Sequence, residues 1–115
     1  MTSAAGAIIN QEYRLRNAQH AERSIKAALH ELSLPIRGSY TLTEVRSLLG
    51  IGEATSWRLI NKFELDEHGR LVRPDCLRTF ILGRERRVLF LELVEFINRN
   101  SEYSRNTSQG KPDAE

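Results

Sequence analysis

The chain has 115 residues, a formal net charge of +2, 40 % hydrophobic and 28 % charged residues, which is the balance of a globular protein with room for one domain plus extensions. A single cysteine, Cys76, excludes an internal disulfide and an all-cysteine metal site and suits a reducing cytoplasm. No run approaches the roughly 18 apolar residues of a membrane span, and no signal-peptide pattern opens the chain, so a cytoplasmic protein is expected.

Five zones follow one another. Residues 1–7 are small and polar and read as a flexible N-terminus. Residues 8–36 hold a predicted helix from Ile8 to Leu34, ended by Pro35. Within it Ala18, Ala21, Ile25, Ala28 and Leu32 recur at spacings of three and four, a thin heptad-like seam. Two uses fit this seam: packing on its own domain, or pairing with a second copy as a dimer contact.

Residues 37–100 carry the main domain. Thr41-Leu42-Thr43-Glu44 fits a capping box, in which a hydroxyl takes the Glu44 amide while the carboxylate reaches back. A helix is predicted from Leu42 to about Leu49, with Val45, Leu48 and Leu49 on one face and Gly50 as a left-handed stop. Ile51 sits in the turn and Gly52 caps a second helix, from about Glu53 to Lys62. Its inward face is predicted as Thr55, Ser56, Leu59, Ile60 and then Phe63. Its outward stripe is predicted as Glu53, Ala54, Trp57, Arg58 and Asn61.

Two short helices joined by a glycine-bearing turn form a helix-turn-helix, which lays its second helix in the DNA major groove. On that stripe Asn61 suits an adenine edge, Arg58 a guanine or a phosphate, and Trp57 a sugar or a thymine methyl. Lys62 closes the candidate set on this helix. Thr41 and Thr43, at the first helix's N-terminus, are candidates for the DNA backbone. The alternative for Trp57 is a partly buried core residue.

Beyond Leu65 the period changes. Thr79–Leu82 and Arg87–Phe90 are β-prone, with Gly83-Arg84-Glu85-Arg86 as the turn, so a small hairpin is expected. From Arg70 to Arg87 six arginines face two acids, a local excess of four positive charges. Arg84, Arg86 and Arg87 would act as a wing on phosphates or the minor groove; otherwise they are a solvated loop guarding a sheet edge. A last amphipathic helix, Leu91–Asn100, should pack Leu93, Phe96 and Ile97 inward and leave Glu92 and Glu95 in water. The polar tail, residues 101–115, is expected to be disordered.

The residues Tyr40–Val45, Leu48–Ile51, Thr55–Ile60, Leu82–Arg84, Arg86–Phe90 and Leu93–Ile97 together resemble the winged helix-turn-helix of the MerR superfamily, in its short excisionase-like, AlpA-type prophage-regulator branch. The resemblance covers about half of the chain. It implies a mainly α fold with a small β-hairpin, a winged helix-turn-helix preceded by an N-terminal helix. It also implies a sequence-specific double-stranded DNA-binding protein from a mobile element, acting as a small transcription regulator or as an excisionase that bends DNA. Partners implied are DNA, a second copy or side-by-side copies, and an integrase or RNA polymerase.

Three features depart from the family pattern. Glu53 stands where a cation is usual, residues 66–78 lengthen the link to the wing, and residues 8–34 precede the minimal unit. No long coiled coil or effector domain follows the module, which argues against a metal- or drug-sensing member. His20, His30 and His68 lack metal-ligand spacing, and no nucleophile or phosphate-loop motif occurs, so no catalytic residue, metal or cofactor is assigned. A protein-interaction adaptor that does not touch DNA is the competing class.

Overall fold

The computed structural model describes the backbone of residues 4–101 and the side chains of residues 16–101. Among the described residues the chain forms α1 (Ala4–Glu31), β1 (Ser39–Thr41), α2 (Leu42–Leu49), α3 (Glu53–Asn61), β2 (Phe80–Leu82), β3 (Glu85–Leu89) and α4 (Phe90–Arg99). This is a mainly helical chain with a small antiparallel sheet of strand order β1-β3-β2. No described helix is long and apolar enough to cross a membrane.

Helix α1 begins at Ala4, so residues 4–7 are helical rather than loose; residues 1–3 lie outside the described set. It also stops at Glu31, short of the expected Leu34. Ser33 adopts a left-handed φ of 57°, and the Leu34 amide turns back to the Leu29 carbonyl at 2.9 Å. That i to i−5 bond is the closing bond of a Schellman-type stop, which satisfies a carbonyl the helix would otherwise orphan.

The buried seam of α1 is Ala21, Ile25 and Leu29, with Ala28 half-buried. Leu32, expected on the seam, is 41 % exposed because it lies past the last packed turn. The seam packs inside its own chain, with α4 as its main neighbour. Of the two expected uses, the intramolecular one takes this apolar surface.

Helix α2 follows the sequence closely. Thr41 Oγ1 accepts from the Glu44 amide at 3.2 Å, and the Thr41 amide donates to Glu44 Oε1 at 2.9 Å, completing the capping box. Gly50 at φ 68° ends the helix, a conformation that favours a residue without a Cβ.

The sheet has one strand more than the expected hairpin. Ser39–Thr41 pairs with Leu89–Arg87, which makes β3 the central strand. Tyr40 is fully buried there; its hydroxyl donates to the Pro35 carbonyl at 2.8 Å and accepts from the Arg37 amide at 2.7 Å. The hairpin turn is also tighter than expected. Leu82 faces Glu85, so only Gly83 and Arg84 form the turn, and Glu85 and Arg86 belong to β3. Gly83, at φ 66°, holds the first turn position, where tight hairpins need a positive φ.

Ten buried side chains form one core, nine from all the helices and strands except β2 and the tenth, Leu77, from the loop before β2; they include Val45, Ile60, Val88 and Leu93. Two expectations fail here. Phe63 is 41 % exposed, since α3 ends at Asn61 and the chain turns outward. Glu92 is buried rather than solvated. Arg99 donates to its Oε2 at 2.7 Å, and the Arg78 amide donates to the same oxygen at 3.0 Å. Arg99 also donates to the Cys76 carbonyl at 2.8 Å.

This clamp defines the path of residues 66–78. Asp66 Oδ1 takes the His68 and Arg70 amides, forming a small turn closed by the Leu65–Leu71 bridge. The chain then returns to the core, where Cys76 and Leu77 are buried and the Leu77 amide donates to the Leu59 carbonyl. Apart from Ser101, whose hydroxyl accepts from Asn17 Nδ2 at 2.7 Å, the polar tail lies outside the described residues.

Candidate nucleic-acid interface

The α2–α3 pair is pinned by a polar contact that spacing did not reveal. Ser56 is fully buried on α3. Its hydroxyl donates to the Glu53 carbonyl at 2.7 Å and accepts from Arg46 Nε at 2.9 Å. A small residue here lets the helices approach, and the hydroxyl leaves no orphan donor in the contact. Arg46 thus serves the fold; its signal in the sequence was only a cation at the rear of α2.

With Ser56 and Ile60 inward, α3 turns Glu53, Ala54, Arg58 and Asn61 to the exterior, and all four are exposed. Trp57 lies at the border. It is half-buried and packs on the core cluster with one side, so part of the partly-buried reading applies. Lys62 is held by Asp75 at 2.6 Å, which ties the end of α3 to the following loop.

The three hairpin arginines take three different positions. Arg84 sits at the exposed tip and makes no hydrogen bond or ion pair among the described residues. Arg86 lies over Trp57, its guanidinium carbon 5.5 Å from the ring centroid, and donates to Thr79 Oγ1 at 2.6 Å. Arg87 lies flat across the sheet. It donates to Ser39 Oγ at 2.7 Å, to the Ser39 carbonyl at 3.0 Å and to Glu85 at 2.6 Å. Arg84 is therefore the freest cation of the three, Arg86 a strut between hairpin and α3, and Arg87 a tie between β3 and β1.

At the start of α2, Thr43 is exposed while the Thr41 side chain is half-buried and engaged as the cap acceptor. Arg37 reaches Glu44 with two bonds, the shorter 2.7 Å. Its guanidinium, with help from the Thr41 amide, holds the Glu44 carboxyl below the usual range. His20, His30 and His68 are all exposed, and no group of three or more metal-ligating side chains occurs among the described residues.

The arrangement therefore offers an exposed helix face with an amide and a guanidinium, beside a hairpin that presents a free cation at its tip. Comparisons with family models, curated proteins and solved structures found no match for this chain.

Proposed function

We propose that the chain is a sequence-specific, double-stranded DNA-binding protein, a small transcription regulator built on a winged helix-turn-helix. In this reading α2 and α3 are the helix-turn-helix, α3 reads base edges, and the β2–β3 hairpin is the wing. One observation carries it: the Arg86–Trp57 contact sets the hairpin against the helix whose outer face bears Arg58 and Asn61. The MerR-like residues noted above support the same reading.

The physical division of labour follows. Arg84 supplies salt-sensitive attraction to phosphate, with about 0.9 counterions released per contact. Arg58 and Asn61 supply discrimination, each good base contact contributing about 1–3 kcal/mol. Thr43 and the first turn of α2 suit the adjacent backbone. Glu53 adds an acceptor on the same face, suited to a cytosine amino group and repelled by phosphate, which sharpens register.

The test is fluorescence anisotropy with random duplex at low salt, followed by selection of a preferred sequence from a random pool. Binding that weakens linearly in log salt, and a selected sequence that the Arg58→Ala and Asn61→Ala variants no longer prefer, are expected. No binding to any duplex at low salt would overturn the reading in favour of an interaction adaptor.

A further inference from the structure

Side chains alternate between the two faces of a strand, and the register assigns each one. Val88 and Arg86 point toward the core and Trp57, so Phe80, Leu82, Glu85, Arg87 and Leu89 lie on the outer face. This face is apolar for a surface: Leu82 near the hairpin tip is 62 % and Leu89 49 % exposed, and Leu91 of α4, 61 % exposed, shares a cleft with Leu89. Phe80, Leu89 and Leu91 line a cleft of about 290 Å³, with Arg78 and Glu95 also in its wall. Arg87 does not spoil the patch, because its guanidinium is already paired with Glu85 and bonded to Ser39. The outer edge of β2 has no strand beside it among the described residues.

We propose that this face is the contact for a second copy of the chain. The charges select that occupant. Arg78, whose guanidinium carbon lies 5.3 Å from the Phe63 ring centroid, has no carboxylate partner, and Glu95 has no cation partner among the described residues, although both flank the same apolar cleft. A twofold interface places the same patch on both sides, so residue i meets residue j and j meets i. Arg78 of each copy then meets Glu95 of the other across the Leu89 and Leu91 surfaces. Such a dimer covers the side of the sheet opposite Trp57, leaving the exposed face of α3 and the Arg84 tip open. The inference does not rest on DNA binding and is read on the protein alone.

The test is sedimentation equilibrium of the full chain over a wide concentration range. Wild type is expected to show a monomer–dimer equilibrium. Leu91→Glu is expected to weaken it by at least about tenfold, because a carboxylate would be taken out of water. Circular dichroism identifies a variant that fails to fold. Independently of that variant, Arg78→Glu and Glu95→Arg are each expected to weaken the dimer, and the double reversal to restore it. A monomer at every concentration would overturn the proposal. So would a dimer indifferent to Leu91→Glu in a folded variant, or a double reversal no better than either single change.

Discussion

The Arg86 guanidinium lies 5.5 Å from the centre of the Trp57 ring, so a β3 side chain covers an aromatic of α3. A cation–aromatic contact at a partly exposed site contributes about 0.5–1 kcal/mol, and here Thr79 fixes the cation from the other side. Trp57 is the sole tryptophan, so its fluorescence reports this contact directly. Arg86→Ala is expected to shift the emission to the red, lower stability by about 1 kcal/mol, and, on the proposed function, weaken DNA binding through loss of hairpin position. Arg84→Ala is expected to leave the emission unchanged.

On the proposed DNA-binding function, the three hairpin arginines are expected to separate by salt dependence. Arg84→Ala should weaken binding similarly on all duplexes and lower the slope of log affinity against log salt by about 0.9. Arg87→Ala should instead cost thermal stability with little change in slope, since its donors are engaged by Ser39 and Glu85. Arg58→Ala and Asn61→Ala should each lose about 1–3 kcal/mol on the selected sequence and almost nothing on random duplex.

Glu92 is 6 % exposed and bonds to both Arg99 and the Arg78 amide. Removing Glu92 leaves the mostly buried Arg99 charge with backbone carbonyls but no carboxylate, and the Arg78 amide without its acceptor. Glu92→Ala is expected to lower stability by about 3–5 kcal/mol in urea unfolding. Glu95→Ala, three residues on and exposed, should change the stability of the monomer by less than about 0.5 kcal/mol.

Glu44 gives a pH dependence. Its carboxyl titrates lower in the folded chain than its ordinary 4.5, chiefly through the Arg37 hydrogen bonds. The unfolded chain therefore takes up that proton first as pH falls. The stabilising contribution is fully present above the unfolded value and is lost as pH drops through the folded one. Thermal melts from neutral pH downward should show wild type losing stability in that window. Glu44→Gln keeps an acceptor for the Thr41 amide and should lack this component of the acid loss.

Cys76 offers a fifth measurement. Burial pushes its thiol up, and no solvent reaches the side chain. Only the thiolate reacts with alkylating reagents, so labelling at neutral pH should be slow in the folded chain and rapid in denaturant. A fast native reaction would show that the segment held by Glu92 and Arg99 opens readily.

The parts of the fold governed by neighbours in sequence were legible from it. The Thr41–Glu44 cap and the Gly50 stop obey short-range rules and stand where those rules put them, as do Glu53, Ala54, Arg58 and Asn61 of the outward stripe; Trp57 of that stripe is half-buried, and the Gly83 turn is two residues shorter than expected. What escaped depends on distant partners. Ser39-Tyr40-Thr41 is too short to announce a strand, and becomes one because Leu89, Val88 and Arg87 return to it. Glu92 interrupts an apolar stripe and looked solvated, yet Arg99 two turns on makes its burial tolerable. On the candidate site, the exposure of Arg58 and Asn61 was readable from helical phase. The separate positions of Arg84, Arg86 and Arg87 were not, because strand register and the Ser39 and Thr79 acceptors decide them.

The central place of β3 has a mechanical consequence. It is gripped on one flank by β1, which leads directly into α2, and on the other by β2, while its end runs straight into α4. A tug on the hairpin is thus transmitted at once to α2, which packs on α3, and to α4, which packs on α1. Amide exchange along Arg87–Leu89 should accordingly slow to the pace of whole-molecule opening, and the hairpin should melt with the core rather than ahead of it.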